Sequence, residues 1–185
     1  QEIGEQPAVL EAFVDFEKEF SILLVRGVNG ETRIWDPPEN RHQDGILAHS
    51  LAPGSGIIAD QTAAASDLAR RIAEKLGYVG VLTCEFFASR KGPIFNEMAP
   101  RVHNSGHWTI EGAITSQFEN HIRAICGLPL GETALTADRI EMHNLIGAEA
   151  DDWMDWLKKD RAHLHLYAKG EARPGRKMGH VTQLF

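Results

Sequence analysis

The sequence predicts an α+β protein in which an antiparallel sheet with packed helices is followed by a small β-rich domain. Strand-like apolar runs flank an Asn-Gly pair at 29–30, and a second pair of such runs flanks Arg90–Gly92. One segment with helical periodicity follows each of these hairpins. After Pro129 the composition becomes linker-like, so we expect two domains, 1–128 and 129–185.

The composition is that of an ordinary globular protein and excludes several classes. Of the 185 residues, 43% are hydrophobic and 24% are charged, and the net charge is −7. A general nucleic-acid binder would need a broad basic surface, and a membrane helix would need an apolar run of about 20 residues. No signal peptide is recognisable, and two cysteines make no disulfide framework. We therefore expect a cytoplasmic protein with neither nucleic-acid nor membrane partners.

The first predicted strands form a hairpin near the start of the chain. Glu19–Arg26 and Thr32–Trp35 are rich in aliphatic and β-branched residues. Asn29-Gly30 suits the tight turn between them, because both residues adopt positive φ readily. The polar stretch 40–45, which follows Pro37-Pro38, is expected to be a loop.

Two helices are predicted from the spacing of apolar residues. Gln61–Leu76 repeats aliphatic residues at helical intervals, and Gly77 stands where a C-terminal cap belongs. The second helix is expected around Ala113–Cys126, with Gly127 after its end. Its large apolar residues share one face: Phe118, Ile122 and Ile125.

The most informative feature is a pair of glutamates within apolar strands. Val81–Ala88 and Ile94–Met98 are predicted to form a hairpin in which Glu85 and Glu97 stand directly opposite each other. Facing residues have Cβ atoms about 5 Å apart, and two carboxylates held so close destabilise the sheet unless they share a proton or a cation. Mg²⁺ is the best candidate, because it prefers oxygen ligands, and Asn96 adds another oxygen donor. A register shifted by one residue would instead point one glutamate at solvent.

A dense array of donors follows the second glutamate. Arg101, His103 and Asn104 suit an oxyanion bound beside a metal. Zinc held by His103 and His107 is the rival chemistry, but Gly106 disfavours a helix there and no third ligand is near in sequence. Four isolated histidines are interpreted as ordinary surface or core residues: His49, His121, His143 and His163.

The tail is predicted to contain two strands, a short helix and a basic loop. Ile140–Ile146 and His163–Ala168 have strand character, and Asp151–Lys159 has helical character. The basic loop invites a phosphate in a chain of net charge −7, although a solvated loop is the alternative. Its cations are Lys169, Arg173, Arg176 and Lys177.

Five segments resemble those of 5-(carboxyamino)imidazole ribonucleotide synthases, a branch of the ATP-grasp ligases. The longest is NEMAPRVHNSGHWTIEGAITSQFENHIRAICGLPLG, and the others are EAFVDFEKEFSILLVRG, ENRHQDGIL, GVLTCEFF and KGEARPGRKMGH. Together they extend across essentially the whole chain. More distant ATP-grasp enzymes such as biotin carboxylase usually have an Asn two residues after the second glutamate, whereas this chain has Ala99.

The resemblance implies an ATP site between two antiparallel subdomains. Glu19 would hold the ribose hydroxyls, and His42 would line the nucleotide pocket. Glu85 and Glu97 would bind Mg²⁺, with Mn²⁺ as an alternative, and Asn96 would lie beside them. The hinge strand that reads the adenine edge is assigned to Glu11, Ala12, Phe13 and Val14.

The resemblance also implies a reaction. Bicarbonate, held by Arg101, His103 and Asn104, would attack the γ-phosphate of ATP to form carboxyphosphate. The carboxyl group would then pass to the exocyclic amine of 5-aminoimidazole ribonucleotide, in purine biosynthesis. The residues expected to bind the phosphate of that ribonucleotide are Lys169, Arg176 and Lys177.

The family also carries a preceding substrate domain, ATP-clamping lysines and a glycine-rich phosphate loop. None of these is recognisable here, and the only lysines before residue 90 are Lys18 and Lys75. We therefore expect a fragment that is inactive alone and belongs to an enzyme that forms a homodimer. Two alternatives stay open: another ATP-grasp carboxylate-amine ligase, or a non-catalytic binding fragment.

Overall fold

The computed structural model describes residues 7–10 and 12–185, and an antiparallel sheet forms its centre. The strands are β1 (Lys18–Arg26), β2 (Thr32–Ile34), β3 (Glu39–Gln43), β4 (Ile46–Ala52), β5 (Gly80–Ser89), β6 (Gly92–Ala99), β7 (Ile140–Ile146), β8 (Ala162–Leu166) and β9 (Lys177–Leu184). Their order across the sheet is β6-β5-β1-β3-β4-β7-β9-β8, and β2 pairs with the far end of β1.

Helices cover both faces of this sheet. The α-helices are α1 (Ile57–Lys75), α2 (Thr109–Gly112), α3 (Gln117–Ile125) and α4 (Trp153–Trp156). Two 3₁₀ helices occupy Asn104–Gly106 and Gly147–Asp152. Among the described residues, no helix is both long enough and apolar enough to cross a membrane.

The core has two layers because β1 is apolar on both of its faces. Leu23 and Val25 face a cluster that contains Trp35 and Trp108. The alternate residues of β1 face α1, which buries its small residues against them. A strand with two covered faces belongs at the centre of a sheet, and β1 lies there between β5 and β3.

Most of the predicted elements are confirmed. The Asn29-Gly30 turn joins β1 and β2, and the turn at Arg90–Gly92 joins β5 and β6. The first predicted helix is α1, which starts four residues earlier than expected at Ile57. It ends before Gly77, whose φ of 58° fits a C-terminal cap.

The expectation of a loop at 40–45 was wrong. The stretch forms most of β3 and the turn into β4, with Asp44 and Gly45 at positive φ in the turn. Asn40 explains why so polar a segment pairs within the sheet. Its amide donates to Ser21 Oγ at 2.6 Å and accepts from Ser50 Oγ at 2.8 Å, so the buried polar groups are satisfied.

Helix α3 is shorter than predicted and presents its apolar face to solvent. It begins after Ser116, whose side chain accepts a hydrogen bond from the backbone of Glu119 and caps the helix. The face toward the sheet contains Gln117, Asn120 and Ala124, which are buried. Asn120 exchanges hydrogen bonds with the backbone of the loop at residue 131. The exposed residues are Phe118, Ile122 and Ile125.

The tail continues the same sheet, because β7 pairs with β4 over His49–Ala52. The predicted helix 151–159 is only the short α4 preceded by a 3₁₀ turn, and β9 is a strand that we did not predict. Within the described residues the sheet passes from one predicted domain to the other without interruption. Division of the chain at residue 128 remains a prediction.

Candidate functional site

The two glutamates of the second hairpin face each other as expected. Glu85 of β5 is directly opposite Glu97 of β6, and Phe86 is opposite Phe95. Asn96 is therefore an extra residue on β6, a β-bulge. Because a bulge re-aims neighbouring side chains, Asn96 and Glu97 can border the same pocket although they are adjacent in sequence.

A pocket of about 250 Å³ lies over this pair. Five residues selected from the sequence line it: Glu19, His42, Glu85, Asn96 and Glu97. Gly45, at the tip of the β3–β4 turn, and Phe86 and Phe87 of β5 also line the pocket. The sheet thus brings together residues from β1, β3, β5 and β6.

Glu19 and His42 form a contact at one side of the pocket. His42 Nδ1 lies 2.5 Å from Glu19 Oε2, and both side chains are about a quarter exposed. The contact depends on pairing between β1 and β3, which places Glu19 opposite Asn40, two residues before His42 on the same face. The two residues were selected separately from sequence, and the sheet makes them partners.

The electrostatics of Glu85 favour a shared proton or cation. Burial raises the pKa of the Glu85 carboxyl, and the nearby carboxylate of Glu97 raises that pKa further. His42 and Lys177 act in the opposite direction. A positive charge in the pocket would remove the repulsion between the carboxylates, so the site is suited to a cation.

His103 connects the polar loop to this pair. Its Nε2 lies 3.1 Å from Glu85 Oε1, while its Nδ1 accepts from the backbone N–H of Ser105 at 3.3 Å. Burial lowers the pKa of His103 to about 4, so the ring is neutral at pH 7. With Nδ1 accepting, the proton of the neutral ring is on Nε2, directed at the carboxylate.

Gln117 holds this loop in place and was missed in the sequence. Its side chain accepts from His103 N at 2.9 Å and donates to His103 O at 2.7 Å. Its amide nitrogen also lies 3.1 Å from His107 Nδ1. The signal was its position directly after Ser116, a helix N-cap residue, which places Gln117 in the first turn of α3 beside the loop.

Asn104 brings the two ends of the predicted site together. Its Oδ1 accepts from Lys177 Nζ at 2.7 Å and from Asn144 Nδ2 at 2.7 Å. Its amide donates to Asn144 Oδ1 at 2.9 Å. Asn144 was not selected from sequence, because a single Asn in an apolar strand gives no spacing signal. Lys177, expected to bind phosphate, therefore also lies beside the loop that follows β6.

Three further cations were predicted to bind ligands: Arg101, Arg176 and Lys169. Arg101 is exposed and donates to the carbonyl of Val102 at 3.0 Å. Arg176 donates to the carbonyl of Glu171 at 3.5 Å. Lys169 Nζ lies 5.0 Å from the ring centroid of Tyr167. These three side chains are free to turn toward a ligand, since each makes only weak or local contacts.

The predicted hinge lies at a different pocket. Phe13 and Val14 line a cavity of about 600 Å³ together with Ser89, Arg90 and Lys91 at the β5–β6 turn. Ala12 is exposed, and Glu11, the remaining predicted hinge residue, lies outside the described residues. The hinge and the carboxylate pair thus occupy neighbouring parts of the β1–β5–β6 surface.

The donor set at the carboxylate pair fits a hard divalent cation. Two carboxylates, with an amide oxygen alongside, are the ligands that Mg²⁺ and Mn²⁺ prefer. Zinc at His103 and His107 receives no support, because within residues 7–10 and 12–185 these two do not join a group of three close ligand atoms. Gln117 instead contacts the backbone carbonyl of His103 and the ring of His107.

Comparison with known proteins agrees with this geometry. Residues 1–118 match the family model of the ATP-grasp domain. Residues 141–185 match that of the phosphoribosylaminoimidazole carboxylase C-terminal domain. The second match begins within β7, close to the place where the tail joins the sheet.

Similar proteins extend across nearly all of the chain. It is 50% identical over 184 residues to N5-carboxyaminoimidazole ribonucleotide synthase from Brucella melitensis, covering 98% of this chain and 50% of the relative. The synthase of that name from Escherichia coli is 46% identical, covering 94% of this chain and 48% of the relative. The chain therefore spans about half the length of these relatives.

Solved structures show the same fold. N5-carboxyaminoimidazole ribonucleotide synthetase from Thermus thermophilus superposes with a TM-score of 0.88 at 52% identity, covering 95% of this chain and 48% of that one. The Aspergillus clavatus N5-carboxyaminoimidazole synthase, in complex with ADP and 5-aminoimidazole ribonucleotide, gives 0.87 at 32% identity, covering 94% and 48%. Since the ATP-grasp match covers residues 1–118, which include the paired glutamates, the chain belongs to the ATP-grasp family.

Proposed function

We propose that the protein carrying this chain uses ATP and bicarbonate to carboxylate 5-aminoimidazole ribonucleotide, a step of purine biosynthesis. The observation that carries the proposal is the Glu85–Glu97 pair, held face to face in a pocket with Glu19 and His42. Two further findings support it: the names of the relatives, and the ADP and ribonucleotide bound in the Aspergillus clavatus structure.

Glu85 and Glu97 would hold Mg²⁺ or Mn²⁺, with Asn96 beside them. A divalent cation there would neutralise the charge that develops on the phosphoryl oxygens of ATP. The protein's own contribution is the hairpin register, which holds two like charges together before any ligand arrives. Glu19 and His42 would bind the ribose end of the nucleotide.

The loop after β6 would orient bicarbonate. His103 is neutral and fixed in one tautomer by Ser105, and Asn104 is fixed by two partners, so both are preorganised. Arg101 is exposed and would turn in to bind the oxyanion. Such a site must exclude water, because carboxyphosphate is quickly hydrolysed.

Lys177 would lie between the site where carboxyphosphate forms and the site that binds the acceptor ribonucleotide. It lies beside Asn104 and close enough to Glu85 for each to affect the other's pKa. Lys169 and Arg176, from the same basic loop, would bind the phosphate of the acceptor ribonucleotide. The acceptor amine would then stand next to the loop that holds bicarbonate.

Calorimetry on the chain tests the nucleotide site. We expect Mg·ATP to bind, EDTA to abolish the binding, and Glu97→Ala to weaken it at least tenfold. Glu74→Ala, an exposed glutamate on α1, is the matched control and should bind as the unchanged chain does. Tight nucleotide binding that is insensitive to both EDTA and Glu97→Ala would contradict the assignment.

An acceptor assay on the complete protein tests the reaction. ADP release should require bicarbonate and rise with 5-aminoimidazole ribonucleotide, and Lys177→Met should raise the KM for the ribonucleotide. Turnover with a different amine acceptor instead would favour another ATP-grasp ligase. Nucleotide binding without turnover on any acceptor would favour a non-catalytic module.

We also propose a cytoplasmic homodimer. Two free cysteines, Cys84 and Cys126, are consistent with a reducing compartment. Cys84 is buried and Cys126 is exposed. The dimer is supported by the apolar face of α3, where Phe118, Ile122 and Ile125 are 37%, 55% and 50% exposed.

A further inference from the structure

Two histidines and a glutamate converge where β4 pairs with β7. His49 is directly opposite His143 in the register. Glu141 precedes His143 by two residues and so lies on the same face of β7. One ligand atom from each side chain lies within 4.8 Å of the other two. These histidines look unrelated in sequence, and only the strand pairing brings them together.

The contacts orient all three side chains toward one point. Glu141 Oε2 lies 3.5 Å from His49 Nε2 and 3.4 Å from His143 Nε2. The other oxygen of Glu141 lies 3.4 Å from an Arg139 nitrogen, which leaves Oε2 to the histidines. His49 Nε2 is buried, and among the described residues it makes no well-formed hydrogen bond, because Glu141 Oε2 lies at 3.5 Å. A buried imidazole nitrogen without a partner is unusual and requires an explanation.

The cluster lies on the opposite side of the sheet from the carboxylate pair. Ser50, next to His49, bonds Asn40 on the nucleotide side, and Asn144, next to His143, bonds Asn104 there. Since successive side chains of a strand point to opposite faces, His49 and His143 point away from that pocket. The cluster is thus separate from the site proposed for ATP.

A cavity of about 320 Å³ gives access to the cluster. Its walls include Glu149, Asp152 and Trp156, and the His143 and Trp156 ring centroids are 5.2 Å apart. The nearby Arg41, opposite His49 on β3, is bound by Glu39 at 3.1 Å. Glu39 also accepts from Lys18 Nζ at 2.5 Å, so the charge of Arg41 is only partly offset. The carboxylates of Glu149 and Asp152 at the cavity add the negative charge that favours a cation.

Two imidazole nitrogens and one carboxylate oxygen are a ligand set of zinc sites that keep an open fourth position. Mg²⁺ prefers oxygen ligands alone, so the carboxylate pair and this cluster select different ions. We propose that His49, Glu141 and His143 bind a divalent cation of the zinc class. The ion joins β4 of the ATP-grasp match to β7 of the C-terminal match.

Cobalt titration of the metal-free chain tests the proposal, because Co²⁺ replaces Zn²⁺ at such sites and is coloured. We expect one equivalent of Co²⁺ to give a visible spectrum that Zn²⁺ abolishes by displacement. The spectrum should be lost in His49→Ala and in His143→Gln. It should persist in His163→Ala, an exposed histidine on β8, and in Glu97→Gln at the carboxylate pair.

Thermal unfolding gives a second readout. Zn²⁺ should raise the Tm of the unchanged chain and of His163→Ala, but not that of His143→Gln. If His49→Ala fails to fold, His143→Gln, whose side chain is 33% exposed, decides the matter alone. The proposal is overturned if no Co²⁺ binds, if the spectrum survives in His143→Gln, or if it disappears in Glu97→Gln.

Discussion

At the scale of single residues, the facing carboxylates of Glu85 and Glu97 lower the stability of the ligand-free fold. Glu85 and Glu97 repel each other across a hairpin, and burial adds to the effect by raising the pKa of Glu85. Like charges in facing positions destabilise a sheet. The pair therefore reduces the stability of the ligand-free fold, and the proposed cation would recover that loss by binding between the two carboxylates.

Replacement of Glu97 by Gln should stabilise the ligand-free chain. In EDTA at pH 7 the free energy of unfolding should rise by about 0.2–1 kcal/mol, because the variant keeps the size of the side chain and removes the repulsion. The gain should shrink in acid, where Glu85 is protonated in the native state. Urea titration measures both effects, with Glu74→Gln as the neutral control. A less stable Glu97→Gln chain would disprove the expected repulsion.

Histidine burial should make stability depend on pH. His180 is 2% exposed and lies between His107 and His165, and burial lowers its pKa to about 3. Between that pKa and the ordinary value of about 6.5, the unfolded chain binds a proton that the native chain does not. The contribution of His180 to stability is thus fully present above pH 6.5 and falls as pH decreases toward 3.

The contribution of His180 can be isolated by substitution. Urea titrations at pH 5 and pH 7 should show a smaller loss of stability in His180→Gln, by up to about 1.4 kcal/mol per pH unit. His163→Gln, whose side chain is exposed, should keep the pH dependence of the unchanged chain. Equal pH dependence in all three chains would mean that His180 titrates normally in the native state.

Among the elements, α3 and β3 show how hydrogen bonding can override apolar pattern. The buried face of α3 is largely polar because Gln117 and Asn120 each fasten a loop, so its large apolar residues are left on the outer face. β3 is polar yet paired, because Asn40 finds two hydroxyl partners. Both cases needed partners that lie far away in sequence.

The exposed face of α3 should determine the oligomeric state. Ile122→Glu should convert a dimer to a monomer with an unchanged far-UV spectrum, since Ile122 is 55% exposed and a charge there would be buried on association. Leu76→Glu is the matched control, as Leu76 is 54% exposed beside α1. Sedimentation of the complete protein gives the molecular mass of each variant in solution. A complete protein that is monomeric before substitution would refute the proposed dimer.

At the scale of the whole molecule, the continuous sheet couples the two family matches. β4 and β7 pair over four residues, and β7 is paired in turn with β9. Asn144 of β7 and Asn104 of the loop after β6 add a side-chain hydrogen bond near the pairing of β4 with β7. The tail is thus attached by backbone and by side chains to the part that carries the carboxylate pair.

We therefore expect the chain to unfold as one cooperative unit. Amide hydrogen exchange should give β1, β5, β7 and β9 similar opening free energies and the same dependence on denaturant. Slow exchange in β1 and β5 combined with easy opening of β7 and β9 would instead support an independent domain after residue 128. Mass spectrometry of peptic fragments separates these strands.

The features that the sequence determined by itself are local ones. The turn at Arg90–Gly92 joins adjacent strands, so the facing of Glu85 and Glu97 followed from a short stretch of chain. Helix α1 and its glycine cap followed from periodicity in the same way. The donor loop and the basic loop were recognisable as clusters of residue types, and family resemblance supplied their proposed roles.

Only the tertiary structure decided how distant segments meet. The contact of Asn104 with Lys177, the polar side of α3 and the seam between β4 and β7 all join residues far apart in sequence. The cluster of His49, Glu141 and His143 arises at that seam. Spacing along the chain reports on neighbours within a few residues, whereas these contacts depend on which strands pair, a choice set by packing of the whole sheet.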